Sequence, residues 1–290
     1  MIESAKGKNH MLNEPRTYRH PTFQLVILII VFGIMAVVLF PSFNSTDFTS
    51  AIPLAAFFVL ILLFSIYSLT VKTTISDNEI STQSLLGTRT LSWADINRVS
   101  GKGYAIKLHN RDGDVTVAPS PQLTGYEEVI DFIGTKRPDL FAPQDYSEMS
   151  RSWYGYILLS VIALFVIGTG IFLLTQTGST GVIIFIFFLV LALFIAYITF
   201  SMPRSLNLEG DKLFIKYFTT EKSIRAHEIV SIQLNYRQTR NGKSYFVGID
   251  LSNKRYTRIT GIGPNLPVVF LVLRNWHKKY TTIGLTTQRN

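Results

Sequence analysis

The chain has 290 residues, 47% of them apolar and 16% charged, with a formal net charge of +9 and no cysteine. The missing cysteines exclude disulfides, thiolate chemistry and Cys-ligated zinc or iron–sulfur sites. The apolar residues are clumped into charge-free runs rather than spread, which points to a membrane protein and away from a soluble one with a single large core.

Residues 1–21 are polar and basic (Lys6, Lys8, Arg16, Arg19) and lack periodicity, so a cytoplasmic tail is expected. Phe23–Phe40 and Ala51–Leu69 contain no Asp, Glu, Lys, Arg or His, and each is about 20 residues, or about 30 Å as a helix, the thickness of a bilayer core. A transmembrane hairpin over 22–69 follows, turning at Pro41–Ser50. The sequon-like Asn44-Ser45-Thr46 in that turn reads as a chance match so close to the membrane.

Residues 70–142 break into short alternating runs. ISDNEI reads as a hairpin, RDGD as a second tight turn. Tyr126, Val129, Ile130 and Ile133 then fall at i, i+3, i+4 and i+7, an amphipathic helix ending at Gly134 before Pro138. Residues 143–152 read as a linker. A second hairpin is expected over 153–200, since Tyr154–Leu174 and Val182–Phe200 are again free of charge. Residues 201–281 form a second β-rich domain closed by PVVFLVLRNWHKKY, and 282–290 a short tail.

The halves match. At an offset of 133, Ile75 falls on Leu208, Ile80 on Leu213, Leu91 on Ile224, Ile96 on Ile229 and Val99 on Ile232, and Asp95 falls on Glu228. Ile106–Leu108 meets Ile249–Leu251 at an offset of 143, so the second copy carries about ten extra residues in NYRQTRNGKSY. Internal duplication is the reading.

The turns Pro41–Ser50 and Thr175–Thr180 lack Lys and Arg, whereas Lys72, Arg151 and Arg204 flank the other ends of the runs. The positive-inside rule places both termini and both β-rich domains in the cytoplasm, at the inner (plasma) membrane. Tyr67, Trp153, Tyr154, Tyr156 and Tyr197 suit an interfacial aromatic belt. Ser65, Ser160 and Thr169 are polar positions within the runs and suggest interhelical hydrogen bonds, and the GTG at Gly168–Gly170 suggests close helix approach.

The run LTVKTTISDNEISTQSLLGTRTLSWADINRV and the closing GYEEVIDFIGTKRPDLF resemble bacterial pleckstrin-homology-like (bacterial PH) domain membrane proteins. ISDNEI and LEGDKL, and LSWADI and IRAHEI, recur at equivalent places, although Ala226 stands where the first copy has Trp93. The resemblance implies, in each half, a strongly bent antiparallel β-barrel or sandwich closed by a C-terminal helix. The expected fold class is thus four transmembrane helices in two hairpins, each followed by a cytoplasmic α+β domain.

No catalytic set emerges. His10, His20, His109, His227 and His277 are isolated, Gly101–Gly103 lacks the spacing of a phosphate loop, and no serine sits in GxSxG. No cofactor and no metal are expected, nor is nucleic acid a partner, because no recognised module accompanies the basic residues. The charge is unevenly shared. Nine Lys/Arg oppose eleven Asp/Glu over 71–153, a net of −2, while fifteen oppose five over 201–290, a net of +10. Arg237, Arg240, Lys243, Lys254, Arg255 and Arg258 crowd the second domain. They form either a surface for anionic lipid or an acidic partner, or a solvated basic face. The function expected is non-enzymatic: tandem cytoplasmic modules that bind a protein partner, membrane lipids or a second copy. The alternative is a ligand- or lipid-responsive sensor or regulatory subunit.

Overall fold

The computed structural model describes residues 14–43, 48–114, 116–239, 242–263 and 265–287. The chain divides into two compact units, one of residues 1–100 and 105–137, the other of residues 101–104 and 138–290.

The first unit opens with β1 (Arg16–Arg19), then α1 (Thr22–Phe43) and α2 (Phe48–Thr70). β2 (Lys72–Ile75), β3 (Glu79–Ser84) and β4 (Gly87–Ser92) follow, and after a 3-10 turn at Trp93–Asp95 come β5 (Arg98–Ser100), β6 (Lys107–His109), β7 (Thr116–Val117) and α3 (Tyr126–Lys136). The first sheet has the order β1-β2-β3-β4 and the second β5-β6-β7, all antiparallel. Alternation puts Ile75, Ile80 and Leu91 on one face. They are buried with Trp93, Ile106, Leu108, Val117 and the α3 stripe of Tyr126, Val129, Ile130 and Ile133. The expected helix is therefore present, two residues longer than its glycine suggested.

In the second unit the order is β8 (Glu148–Ser150), α4 (Tyr154–Ser201), β9 (Ser205–Glu209), β10 (Lys212–Lys216), β11 (Glu221–Arg225), a 3-10 turn at Ala226–Glu228, β12 (Ile229–Thr239), β13 (Gly242–Leu251), β14 (Tyr256–Ile259) and α5 (Leu266–Thr287). Its sheets have the orders β11-β10-β9-β8 and β12-β13-β14. α5 buries Leu266, Val269, Leu271, Val272, Leu273 and Trp276, and Asn265 caps it by accepting from the Val268 amide at 2.8 Å.

The registers agree between the units. Ile75 pairs with Ile80 and Ile80 with Leu91, as Leu208 pairs with Leu213 and Leu213 with Ile224. The Trp93 amide donates to Asn78 O at 3.0 Å and the Ala226 amide to Asp211 O at 2.8 Å, again 133 residues on. The indoles trade places. Trp93 Nε1 donates to Ser76 O from the 3-10 turn, whereas Trp276 Nε1 donates to Gly210 O from α5. Each large ring keeps its buried donor satisfied.

Three expectations need correcting. Four transmembrane helices in two hairpins are not what forms. Among the described residues two helices are long and apolar enough to cross a membrane, Tyr154–Gln176 and Thr180–Ser201. The described apolar stretches of α1 and α2, Val26–Met35 and Ala56–Tyr67, are shorter, and at 1.5 Å per residue they reach about 15 and 18 Å of the roughly 30 Å required. Nor does either unit close into one barrel. Among the described residues four separate antiparallel sheets form, because in each unit the hydrogen-bonded ladder stops at the 3-10 turn. Finally, the presumed tail and linker each contribute a strand. β1 pairs with β2 and β8 with β9, so each helical excursion starts and ends on one strand pair.

α4 is helical from end to end, yet it doubles back. A Cβ at Gly170 would lie 3.0 Å from Phe188 Cβ, whereas 18 residues of straight helix span about 27 Å. Gly170 thus serves the close approach expected of it, while Gly168 faces open space. Thr169 does not bond across helices. Its hydroxyl donates to Phe165 O, as Thr199 does to Ile195 O, so these polar groups are satisfied within one turn. The sequon at Asn44–Thr46 lies outside the described residues.

β1 is also tied to the start of α3. The Thr124 amide donates to Arg19 O at 3.0 Å, and Gly125, at φ +78°, lies beneath the Tyr18 ring. A Cβ there would come within 2.9 Å of Tyr18 Cε1, whereas Gly113, at φ +81°, has open space. Gly125→Ala is expected to lower stability by ~2–4 kcal/mol and Gly113→Ala by only ~1–2, since the second incurs backbone strain alone. Thermal unfolding of the two variants in one detergent checks the order. Equal losses would show that Tyr18 does not seal this contact.

Candidate functional site

Of the six basic residues proposed from sequence, Arg237, Lys243, Lys254, Arg255 and Arg258 lie on or beside β12-β13-β14. The presumed inserted loop is no loop but the end of a long hairpin, in which Arg237 pairs with Ser244, Gln238 with Lys243 and Thr239 with Gly242. Because side chains alternate, the register decides which cations share a face. Arg237 falls with Ser244, Asn235 and Phe246, and Arg258, opposite Gly248, falls on the same face. The Arg258 guanidinium lies 4.0 Å from the centroid of the Phe246 ring. Asp250 is on this face too, and accepts from Ser231 Oγ at 2.6 Å.

Lys243 belongs to the other face, where its Nζ stands 4.3 Å from the Tyr236 ring centroid. Lys254 and Arg255 occupy the β13–β14 turn, with Lys254 at φ +62° and the Arg255 amide donating to Asn253 Oδ1. That turn is eight residues along β13 from Lys243, about 27 Å at strand rise. Arg240 lies outside the described residues. Arg237 and Arg258 therefore share one sheet face, Arg258 stacked on Phe246, while Lys243 lies on the other face and Lys254 and Arg255 in the far turn. Stacking of this kind holds a guanidinium in place without neutralising it, at ~0.5–1 kcal/mol where exposed.

A second cluster was not anticipated. Phe218, in the β10–β11 turn, has its ring 5.0 Å from Tyr156 and 5.3 Å from Phe200, at the two ends of α4. Arg151 lies over Tyr156 at 5.8 Å and Arg204 over Phe218 at 5.9 Å, and the Arg151 amide donates to Arg204 O at 2.8 Å. At the offset of 133 the 217–220 turn falls on 84–87. Phe218 stands between Tyr217 and Thr219, and a single ring in such a turn carries no periodic pattern.

Outside these clusters, α4 bears a shallow apolar groove lined by Phe165, Gly168, Thr169 and Phe172. Among the described residues no three His, Asp or Glu side chains converge as a metal site would require. His277 Nε2 bonds Ile229 O at 3.0 Å, holding α5 to β12. No protein-family model matches the chain, and no curated protein matches it.

The proton affinity of His109 is perturbed. Its Nε2 is 2.7 Å from Ser100 Oγ and its Nδ1 3.1 Å from Thr116 Oγ1. Burial first, then the charges of Arg98 and Lys107, hold the imidazole below its ordinary value of 6.5. A depressed folded pKa means that the neutral ring favours the folded state. This contribution is intact above 6.5 and is lost as pH falls through the lower folded value. An NMR titration of His109 is expected to give a midpoint under 6.5, and His109→Gln to remove that part of the acid sensitivity of the melting temperature. A midpoint at or above 6.5 would refute the assignment.

Proposed function

We propose that this protein is a membrane-anchored, non-enzymatic interaction module in which α4 crosses the bilayer as a hairpin and the β-rich units work at its cytoplasmic surface. The observation that carries this is the combination of an outward-facing apolar helix with coincident ends. Only 11% of each spanning window is buried, whereas the core helix of a soluble protein of this length is mostly covered. Leu164, Phe165, Ile183 and Phe187 are each more than 60% exposed. The β8–β9 pairing brings the chain back to where it left, so an even number of crossings is required. Trp153, Tyr154 and Tyr197, each more than 60% exposed near the two ends of α4, suit the headgroup level, and Arg151 and Arg204 beside them favour the cytoplasmic side.

The exposed apolar side chains of α1 and α2 face lipid on the same reading. The recurrence of strand registers and 3-10 turns 133 residues apart supports internal duplication, and the order of four-stranded sheet, three-stranded sheet and helix supports kinship with bacterial PH-like domains. The work of the module falls to the Arg237–Phe246–Arg258 face. Its exposed Arg237 and Arg258 suit anionic headgroups, each cation near the surface being worth about 1 kcal/mol.

Because the natural chain has no cysteine, single-cysteine variants report topology directly. In right-side-out vesicles, Thr180→Cys is expected to react with a membrane-impermeant maleimide and Asn253→Cys only after permeabilisation. Reaction of both from one side would sink the hairpin. Charge reversal at Arg237 and Arg258 is expected to abolish any preference of the reconstituted protein for phosphatidylglycerol over phosphatidylcholine. An unchanged preference would remove this face from lipid binding.

A further inference from the structure

We propose that the β3–β4 turn of the first unit, Leu85–Leu86, is a wedge that inserts into the bilayer and seats that unit on its surface. The inference rests on the reading that the exposed faces of α1 and α2 meet lipid, and it concerns a segment that no part of that reading uses.

Leu86 is 86% exposed and Leu85 64%, values matched in this unit only by residues of the apolar helices such as Val37 at 74% and Leu60 at 66%. Turn tips favour Gly, Asn, Asp and Ser, which makes two adjacent leucines unusual. The turn also uses its own polar groups. Ser84 Oγ donates to Gly87 O at 3.2 Å and accepts from the Leu86 amide at 3.3 Å, with Gly87 at φ +134°. A loop entering a headgroup layer loses less when its backbone is already paired.

Register fixes where the tip points. Arg19 pairs with Lys72, Lys72 with Gln83 and Gln83 with Thr88. The residues at which the chain leaves for α1 and returns from α2 therefore sit at the same end of the sheet as Leu85 and Leu86. Three cations, Arg19, Lys72 and Arg89, occupy that end, and the acidic Asp77 and Glu79 occupy the opposite one. An apolar tip ringed by positive charge, facing the way the apolar helices leave, is complementary to an anionic leaflet.

The second unit shows what such a turn does. Its equivalent, closed by the Tyr217 amide donating to Thr220 O at 2.8 Å, places Phe218 against Tyr156 and Phe200 at the base of α4. There the ring leans on helix aromatics and is 40% exposed, less than either leucine of the first unit's turn. In the first unit the corresponding leucines remain exposed, and the occupant we assign to them is lipid acyl chain.

The test uses the full chain, labelled with an environment-sensitive nitrobenzoxadiazole at single cysteines and reconstituted in phosphatidylcholine–phosphatidylglycerol vesicles. The Leu86→Cys label is expected to emit to the blue of one at Asn78→Cys, on the opposite turn, and to be quenched by phosphatidylcholine brominated along its acyl chains. Emission matching Asn78→Cys overturns the wedge. So does a blue shift without bromine quenching, which would mean that protein, such as a second copy, covers the turn. Leu60→Cys on α2 separates the two levels. If its label is quenched and that of Leu86→Cys is not, the wedge alone fails. If neither is quenched, the lipid-facing reading fails and the wedge with it.

Discussion

The arrangement depends on two strand pairings that bracket the helical excursions. β1 meets β2 and β8 meets β9 only after 22–23-residue helices in one case and a 48-residue helical run in the other have left the sheet and come back. Closing a loop of that length has an entropic cost that rises only slowly with its length, about 0.6 kcal/mol per doubling, so a few ladder hydrogen bonds and a buried side chain suffice to hold it. Met149 on β8 is buried, and Tyr18 on β1 packs over Gly125. Once the pairs form, the entry and exit of each excursion are fixed beside one another.

Further contacts lock those pairs to the rest of each unit. The Thr124 amide bonds Arg19 O and the Gly263 amide bonds Ser150 O, so in both units the end of the first strand is tied to the turn that precedes the closing helix. In the second unit Tyr156, Phe200 and Phe218 add an aromatic joint at the base of α4. Edge-on ring contacts of this kind contribute ~0.5–1.5 kcal/mol beyond area burial. They also explain why a turn residue in a polar context is an aromatic, since it packs against the two ends of one helical run.

Much of the β architecture was legible from residues. Ile75, Ile80 and Leu91 alternate within recognisable turns, and the same spacing recurs at Leu208, Leu213 and Ile224, because a buried sheet face imposes a period of two wherever it occurs. The α3 stripe was equally plain. What escaped was short or without neighbours in sequence. The strands at Arg16–Arg19 and Glu148–Ser150 have too few residues to show a period, and their partners lie beyond the apolar segments. The cationic set was over-read for a related reason. Proximity in sequence grouped Lys243 with Lys254, whereas the ladder puts them at opposite ends of one strand.

Sequence by itself determined the charge-free runs, the alternation of buried strand positions, the amphipathic closing helix and the cationic bias of the second half, since each is a local pattern or a count. Tertiary structure decided that the ladders stop at the 3-10 turns, that α4 doubles back so that Gly170 meets Phe188, that the α5 indole bonds Gly210 O, and which cations share a face. Those outcomes turn on contacts between residues far apart in the chain, whose energy no single stretch carries.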